Sequence, residues 1–358
     1  MSKSVSGKSP PACTFGAVQA GCLRVQPILH IARTINELGG DPERVLGEAG
    51  IPADLFANPE NTISLQAIGD LLERCVAATG CEHFGLLLGA GADGNPLGLL
   101  GEIMEQCADV GTAIAYFQQY FHLHDRGGLA TRTIEGRSAS IGYALIEPTV
   151  PGADQINDAA VAIGMGLMRR LCGPAWKPTA VLLPRLRPRD VRPYEEVFAC
   201  MPEFAAERAA LVFPAGNLRR QIAGADRERH ALLAERLKTV ARQSDLDFAD
   251  QVRRVVRGLV AVRRCSLDEV TALFAMNRRR INSRLERQGT TFHQISQEAL
   301  RDLAERLMRD TDMTLGEISA ALNYAEAVVF TRSFRGWRGV TPSEWRRRHG
   351  RNPGSAGG

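Results

Sequence analysis

The sequence predicts an α+β N-terminal domain followed by an all-α domain with two helix-turn-helix units joined by a linker helix. Three observations lead there. Apolar residues recur every three or four positions through most of the chain, but the period changes to two between Gly127 and Glu147. Charge divides unevenly: from Asp247 onward there are 20 Arg and no Lys against 13 acidic residues, +7 over 112 residues, whereas residues 1–246 carry −3. Within the basic part, a capped pair of helices recurs after 48 residues. A length of 358 residues fits about two domains at roughly 150 residues each.

Residues 1–23, rich in Ser, Gly and Pro, read as a disordered tail. From Val25 the spacing of Ile28, Ile31, Ala32, Ile35 and Leu38 is helical, and Gly39-Gly40 ends it. Asp41 before Pro42 opens a second helix. Ser64 caps Leu65–Ala78, with Leu65, Ile68, Leu71, Leu72 and Val76 on one face, and a longer helical stretch covers about Pro96–His122. The segment LATRTIEGRSASIGYALIE alternates around a Glu-Gly-Arg turn and reads as a β-hairpin. A helix at Ala153–Leu171 and strands at Ala180–Leu183 and Ala209–Phe213 complete the domain 24–215, without a regular βαβ repeat. Residues 216–246 read as a charged linker helix, with Asn217–Arg242 helical and Gln243-Ser244-Asp245 breaking it, and 349–358 as a second tail.

In the basic domain, 247–348, Ser266-Leu-Asp-Glu269 and Thr314-Leu-Gly-Glu317 both fit a capping box, in which two side chains satisfy two orphan amides at a helix start. Apolar residues follow each box: Val270, Ala272, Leu273 and Phe274, then Ile318, Ala320, Ala321 and Leu322. Next come a turn (Met276-Asn277; Asn323-Tyr324, one residue longer) and a helix with two apolar residues four apart, Ile281 and Leu285 or Phe330 and Phe334. The repeat reads as tandem helix-turn-helix units at about 266–287 and 314–336. Between them, Thr291–Arg309 is an amphipathic helix of nearly 30 Å at about 1.5 Å per residue. A rigid spacer of that length sets two helices into successive major grooves, which recur roughly every 34 Å. The localised arginine excess points to a polyanion partner.

Here residues 247–348 resemble the DNA-binding domain of AraC/XylS-type transcription regulators. The marks are Glu317-Ile318, Leu322-Asn323-Tyr324, Phe330-Thr-Arg332-Ser-Phe334, Trp337, Gly339, Val340-Thr-Pro342 and Trp345-Arg346. Residues 25–215 resemble the family's arabinose-binding-type effector or dimerisation region, including the hairpin and Ala210-Leu-Val-Phe-Pro214. Two departures stand out. Asn323 replaces a common Gly, and Asn tolerates a left-handed backbone. Ser283 replaces a frequent Arg.

Residues of the first recognition helix that project away from Ile281 and Leu285 include Arg278, Arg279 and Asn282. The resemblance implies base-facing positions at Arg279, Asn282 and Ser283, and at Val328, Thr331 and Arg332 in the second unit. Arg pairs with guanine and Asn with adenine, whereas Val offers contact only to a thymine methyl. Arg278, Arg280, Arg284 and Arg335 are expected on phosphates, which orient without specifying. On this reading the first unit supplies most of the discrimination, and the second supplies affinity and register.

Other patterns carry less. Gly89-Ala-Gly91-Ala-Asp-Gly94 fits G-x-G-x-x-G but is followed by Asn95-Pro96 rather than opening a helix, so a flexible turn is expected. His122-Leu-His124-Asp125 lacks further metal ligands at suitable spacing, and Glu195-Glu196 reads as a solvated helix face. No nucleophile, base and orienter set stands out, so no enzyme and no cofactor are expected. Eight scattered Cys without a C-x-x-C pair, no apolar run of membrane-spanning length and no signal-peptide core suit a cytoplasmic protein with no metal site. The expected partners are promoter DNA, a second copy as homodimer, a small-molecule effector and, for an activator, RNA polymerase. The alternatives are a DNA-binding dimeric scaffold without ligand sensing, or an enzyme with a nucleic-acid-binding tail.

Overall fold

A computed structural model describes residues 18–349, apart from 93, 147–149, 244–247, 262–264, 275, 312 and 325. The expected tail segments 1–17 and 350–358 and the Ser244-Asp245 break lie outside the described residues, as do the side chains of Ala272 and Leu273.

Order begins earlier than the sequence suggests. Val18 is buried, and β1 (Cys22–Arg24) pairs antiparallel with β2 (Thr62–Ser64). That ladder holds Cys22–Arg24 extended. The expected helix from Val25 is therefore only a 3₁₀ turn at Gln26–Ile28 followed by α1 (Ile31–Glu37). In α2 (Pro42–Glu48) the Asp41 carboxylate accepts from the amides of Glu43 and Arg44. The Ser64 hydroxyl likewise caps α3 (Leu65–Thr79) by accepting from the Ala67 amide at 3.1 Å.

The expected helix 96–122 is divided. After α4 (Phe84–Ala90) come α5 (Leu99–Glu105) and α6 (Val110–Tyr120). Asp109 interrupts because its side chain caps α6, accepting from the Thr112 amide at 2.7 Å, while its backbone bridges to Gln221. The hairpin forms as expected, β3 (Gly128–Glu135) against β4 (Ser138–Leu145), around Gly136-Arg137. Next are α7 (Ala153–Cys172), β5 (Ala180–Leu183), α8 (Arg192–Phe198), β6 (Glu203–Phe204) and β7 (Ala209–Pro214). The sheet order is β3-β4-β7-β5-β6, antiparallel except for β5 beside β6. The charged helix, α9, runs Arg227–Gln243 and starts later than expected, at the Asp226 cap. Its Leu233, Ala234 and Leu237 are buried in the N-terminal core.

Gly89 of the glycine run is a packing position, as is Gly85 before it, whereas Gly91 and Gly94 lie in the turn that follows α4, Gly94 at φ 67°. A Cβ on Gly85 or Gly89 would stand 2.1 or 2.3 Å from the Gln155 or Ala159 carbonyl oxygen of α7. Gly91 ends α4, so no amides are presented to a phosphate; Asp93 of that run lies outside the described residues.

The C-terminal domain is all helical: α10 (Phe248–Ala261), α11 (Leu267–Phe274), α12 (Arg278–Glu286), α13 (Phe292–Asp310), α14 (Leu315–Ala321), α15 (Ala327–Arg338) and α16 (Pro342–His349). One core gathers Val252, Val256, Val270, Ile281, Leu285 and Ile295; the other gathers Met308, Ile318, Phe330, Phe334 and Trp345. Leu300 and Leu303 of α13 pack against both.

Asn323, between α14 and α15, has φ 62°. A side chain with a Cβ branch is strained in that region, whereas Gly is not. Urea unfolding of the Asn323→Val variant is expected to show a loss of about 1–2 kcal/mol. Asn323→Gly is expected to stay within about 0.5 kcal/mol of the parent. A larger loss for the Gly variant than for the Val variant would contradict the backbone argument.

Candidate nucleic-acid interface

Both units are built on capped helices. The Ser266 hydroxyl accepts from the Glu269 amide at 3.1 Å at the start of α11. Thr314 and Glu317 form a reciprocal box at α14: the Thr314 amide donates to the Glu317 carboxylate at 2.7 Å, and the Glu317 amide to the Thr314 hydroxyl at 3.2 Å. Thr341 and Glu344 make a third such pair at α16, which the T-x-x-E spacing already contained. The Asn277 side chain caps α12 by accepting from the Arg280 amide at 2.9 Å.

With Ile281 and Leu285 fully buried, helical geometry turns Arg279 and Ser283 to the opposite, exposed face of α12. Asn282 stands on the flank, half-buried in a surface hollow with Leu267, Glu286 and Phe292. On α15 the anchors are Phe330 and Phe334, and the opposite face carries exposed Arg332 and Val328, the latter 65% exposed. Thr331 is half-buried, and its hydroxyl donates to the Ala327 carbonyl at 2.8 Å. Arg279 and Val328, Asn282 and Thr331, and Ser283 and Arg332 thus occupy equivalent positions relative to their buried anchors.

The arginines expected on phosphates differ in freedom. Arg280 and Arg335 are exposed. Arg278 is held by Asp268 of α11, with Nε–Oδ1 at 2.8 Å and Nη2–Oδ2 at 2.5 Å; the pairing holds the Asp268 carboxyl below its ordinary range. The Arg284 guanidinium lies over the Phe248 ring, 3.9 Å from its centroid. Arg287, exposed one turn further along α12, shares the Arg279 side of the helix and was missed, although the same helical period places it there. The second unit is fastened to the connector by polar contacts. Arg338 binds Glu305 through two hydrogen bonds of 2.5 and 2.8 Å, and the Trp337 indole donates to Gln297 at 2.8 Å.

A family model for the arabinose-binding domain of AraC transcription regulators matches residues 39–222, and a helix-turn-helix domain model matches 270–348. This chain belongs to the AraC-type transcription regulators. It is 25% identical over 319 residues to the HTH-type transcriptional regulator VirS of Mycobacterium tuberculosis, covering 87% of this chain and 92% of VirS. It is 24% identical over 327 residues to the ornithine utilization regulator of Pseudomonas aeruginosa, with the same coverage of 87% and 92%. The crystal structure of the transcriptional regulator CdpR from P. aeruginosa superposes with a TM-score of 0.42 at 20% identity, over 88% of this chain and 97% of that one. The AraC-type relatives are transcription regulators, not enzymes. Among the described residues no helix is long and apolar enough to cross a membrane, and no cluster of three or more His, Cys, Asp or Glu could hold a metal.

In this AraC-type chain the first unit touches the N-terminal domain. Leu129 of β3 packs on the first helical core, against which Gly258 presents no side chain. A cleft beside this contact is lined by His122 and Asp125 on one side and by Gln251, Arg254 and Phe274 on the other. Burial, with Arg254 close by, lowers the His122 imidazole to about 4, and burial lowers His124 to about 3. Both are therefore neutral in the folded protein, while an unfolded chain takes up these protons near pH 6.5. Between pH 6.5 and about 4 the unfolded state holds more protons, so stability falls as pH falls. Thermal melting should show a lower midpoint at pH 5 than at pH 7.5. The gap should narrow in His122→Gln; an equal gap in parent and variant would contradict the assignment.

Proposed function

We propose that this AraC-type regulator reads a promoter through two successive major grooves, with α12 and α15 as the recognition helices, and does so as a homodimer under control of a small molecule bound by the N-terminal domain. The observation that carries the reading is the shared register of the two exposed faces on one connector. The positions of Arg279 and Ser283, and of Val328 and Arg332, repeat about their buried anchors, and α13 belongs to both cores. At about 1.5 Å per residue, the 19 residues of α13 extend roughly 28 Å. That is comparable to the roughly 34 Å repeat of the groove.

In this reading Arg279 and Arg332 pair with guanines and Val328 packs on a thymine methyl. Asn282 and Ser283 complete the first surface. Thr331 contributes through its methyl group, since its hydroxyl proton is engaged by the helix backbone. Arg280 and Arg335 take phosphates. Arg284, stacked on Phe248, offers a phosphate a fixed charge, whereas Arg278 must release Asp268 to reach one. Where the protein activates, RNA polymerase is its partner.

Footprinting of the intergenic DNA beside the gene, followed by titration of the protected sequence, tests the proposal. Arg279→Ala is expected to relax preference at one base pair, at about 1–3 kcal/mol. Arg280→Ala is expected to weaken specific and random DNA alike and to lower the salt slope by about one. Equal losses on specific and random DNA for Arg279→Ala would reassign that residue to the backbone.

A further inference from the structure

Two hollows of the molecule differ sharply in chemistry. One, of about 110 Å³ inside the N-terminal domain, is walled almost wholly by hydrocarbon. The other, a cleft of about 590 Å³, lies where that domain meets α10 and is rich in arginine. Arg126 and the first turn of α3 line it from one side, and Asp250, Arg253, Arg254 and Arg257 of α10 from the other.

These four guanidiniums differ in what they meet. Arg253 pairs with Asp250 at 2.7 Å, and Arg257 with Asp302 at 3.5 Å. Arg126 gives Nη1 to the Val18 carbonyl and meets no carboxylate among the described residues. Arg254 has neither a hydrogen bond nor an ion pair among the described residues. Asp125, the other carboxylate near it, is engaged by the Tyr143 hydroxyl and the amides of Gly127 and Gly128. Two half-buried cations from different domains therefore share one cleft with no carboxylate of their own. Burial, and then Arg126 beside it, lower the Arg254 guanidinium to about 10. Both groups can be reached: unlike Arg126 Nε, Arg126 Nη2 and the Arg254 nitrogens keep accessible surface.

We propose that this cleft binds a small dianion, a phosphate monoester or a dicarboxylate, held between Arg126 of the N-terminal domain and Arg254 of α10. The two uncompensated cations set the ligand's charge. A dianion neutralises both, whereas a neutral molecule leaves two like charges facing each other in a half-buried site. Guanidinium presents paired N–H donors that match carboxylate and phosphate oxygens alike. The first turn of α3 carries no acidic residue, so its end adds positive potential to the same space. Leu65 and Ile146 give the carbon part of such a ligand an apolar wall. The inference goes beyond the effector reading, since a molecule bound inside the N-terminal domain uses neither arginine. An anion in the cleft ties Arg126 to α10, whose Val252 and Val256 share a core with Ile281 and Leu285 of α12. It therefore bears on the helix that seats the first recognition helix.

The test uses the full-length protein at constant ionic strength, with glycerol 3-phosphate and succinate as dianions and glycerol as the neutral control. Affinity is read by calorimetry. At least one dianion is expected to bind and glycerol not, and which dianion binds tells phosphate from carboxylate. Arg126→Gln and Arg254→Gln should each lower affinity about tenfold or more, the loss of a charged hydrogen bond. Arg254→Lys should keep more of it, and Arg44→Gln, which removes the same charge from exposed α2, should change nothing. Without ligand, each Gln variant is expected to melt no lower than the parent, because it removes a repulsion. A Gln variant that melts well below the parent, or does not fold, makes its arginine structural and overturns the proposal. Binding of neither dianion, or binding that survives both Gln substitutions, overturns it as well, and dependence on one arginine alone refutes the bridge. Operator affinity without dianion should match the parent in both Gln variants. A loss on specific and random DNA alike, with a salt slope lower by about one, would make these arginines DNA phosphate contacts instead.

Discussion

The C-terminal domain depends on a single helix belonging to two cores. Leu300 and Leu303 of α13 are packed by the first unit from one side and by the second from the other. Neither half has a core that closes without that helix, and neither recognition helix can rotate on its own axis without disturbing it. The Glu305–Arg338 pair, with Glu305 buried, and the Trp337–Gln297 hydrogen bond add directional restraints to an otherwise apolar contact. Apolar packing alone tolerates small rotations; a two-pronged Arg–carboxylate contact tolerates fewer. The spacing and facing of α12 and α15 are consequences of one shared buried stripe.

The arginine excess looks different once its partners are known. Arg253 pairs with Asp250 and Glu298, Arg257 with Asp302, Arg301 with Asp302 and Glu305, Arg278 with Asp268. Much of the basic character of this domain is internal bracing, for which the planar guanidinium suits better than an ammonium. The charge left for a polyanion is concentrated on α12, α15 and α16, where Arg279, Arg280, Arg332, Arg335, Arg347 and Arg348 are exposed. Exposed ion pairs of the Arg257–Asp302 kind contribute little to stability, but they govern which cations remain available to phosphate.

How much was legible follows from where each signal resides. The hairpin, α3, α7 and both helix-turn-helix units carry their causes locally: alternation around Gly136, the Ser64 cap, an unbroken apolar face, the Thr314 box. The strands β1 and β2 are three residues each and exist because they pair with each other, which no local pattern announces. Likewise α4 was invisible because Gly85 and Gly89 argue against a helix locally, and only the backbone of α7 pressed against them explains them. In the interface, the helical period placed Arg279 on an exposed face, and the family resemblance added Ser283, Val328 and Arg332, without help from tertiary structure. It could not separate Arg280 from Arg278 or Arg284, because Asp268 and Phe248, which hold the latter two, come from other helices.

The same limit applied to His122-Leu-His124-Asp125. Read along the chain, three polar residues around a leucine at the end of a helix are unremarkable. Folded, they form the wall between an apolar cavity and the DNA-binding domain, with His122 and His124 held neutral by burial and Asp125 bound to Tyr143 and two backbone amides. A buried polar segment of this kind is costly unless every group has a partner, and such networks favour one arrangement over neighbouring ones. These polar groups lie where the two domains meet, beside the cleft that Gln251, Arg254 and Phe274 line from the other side.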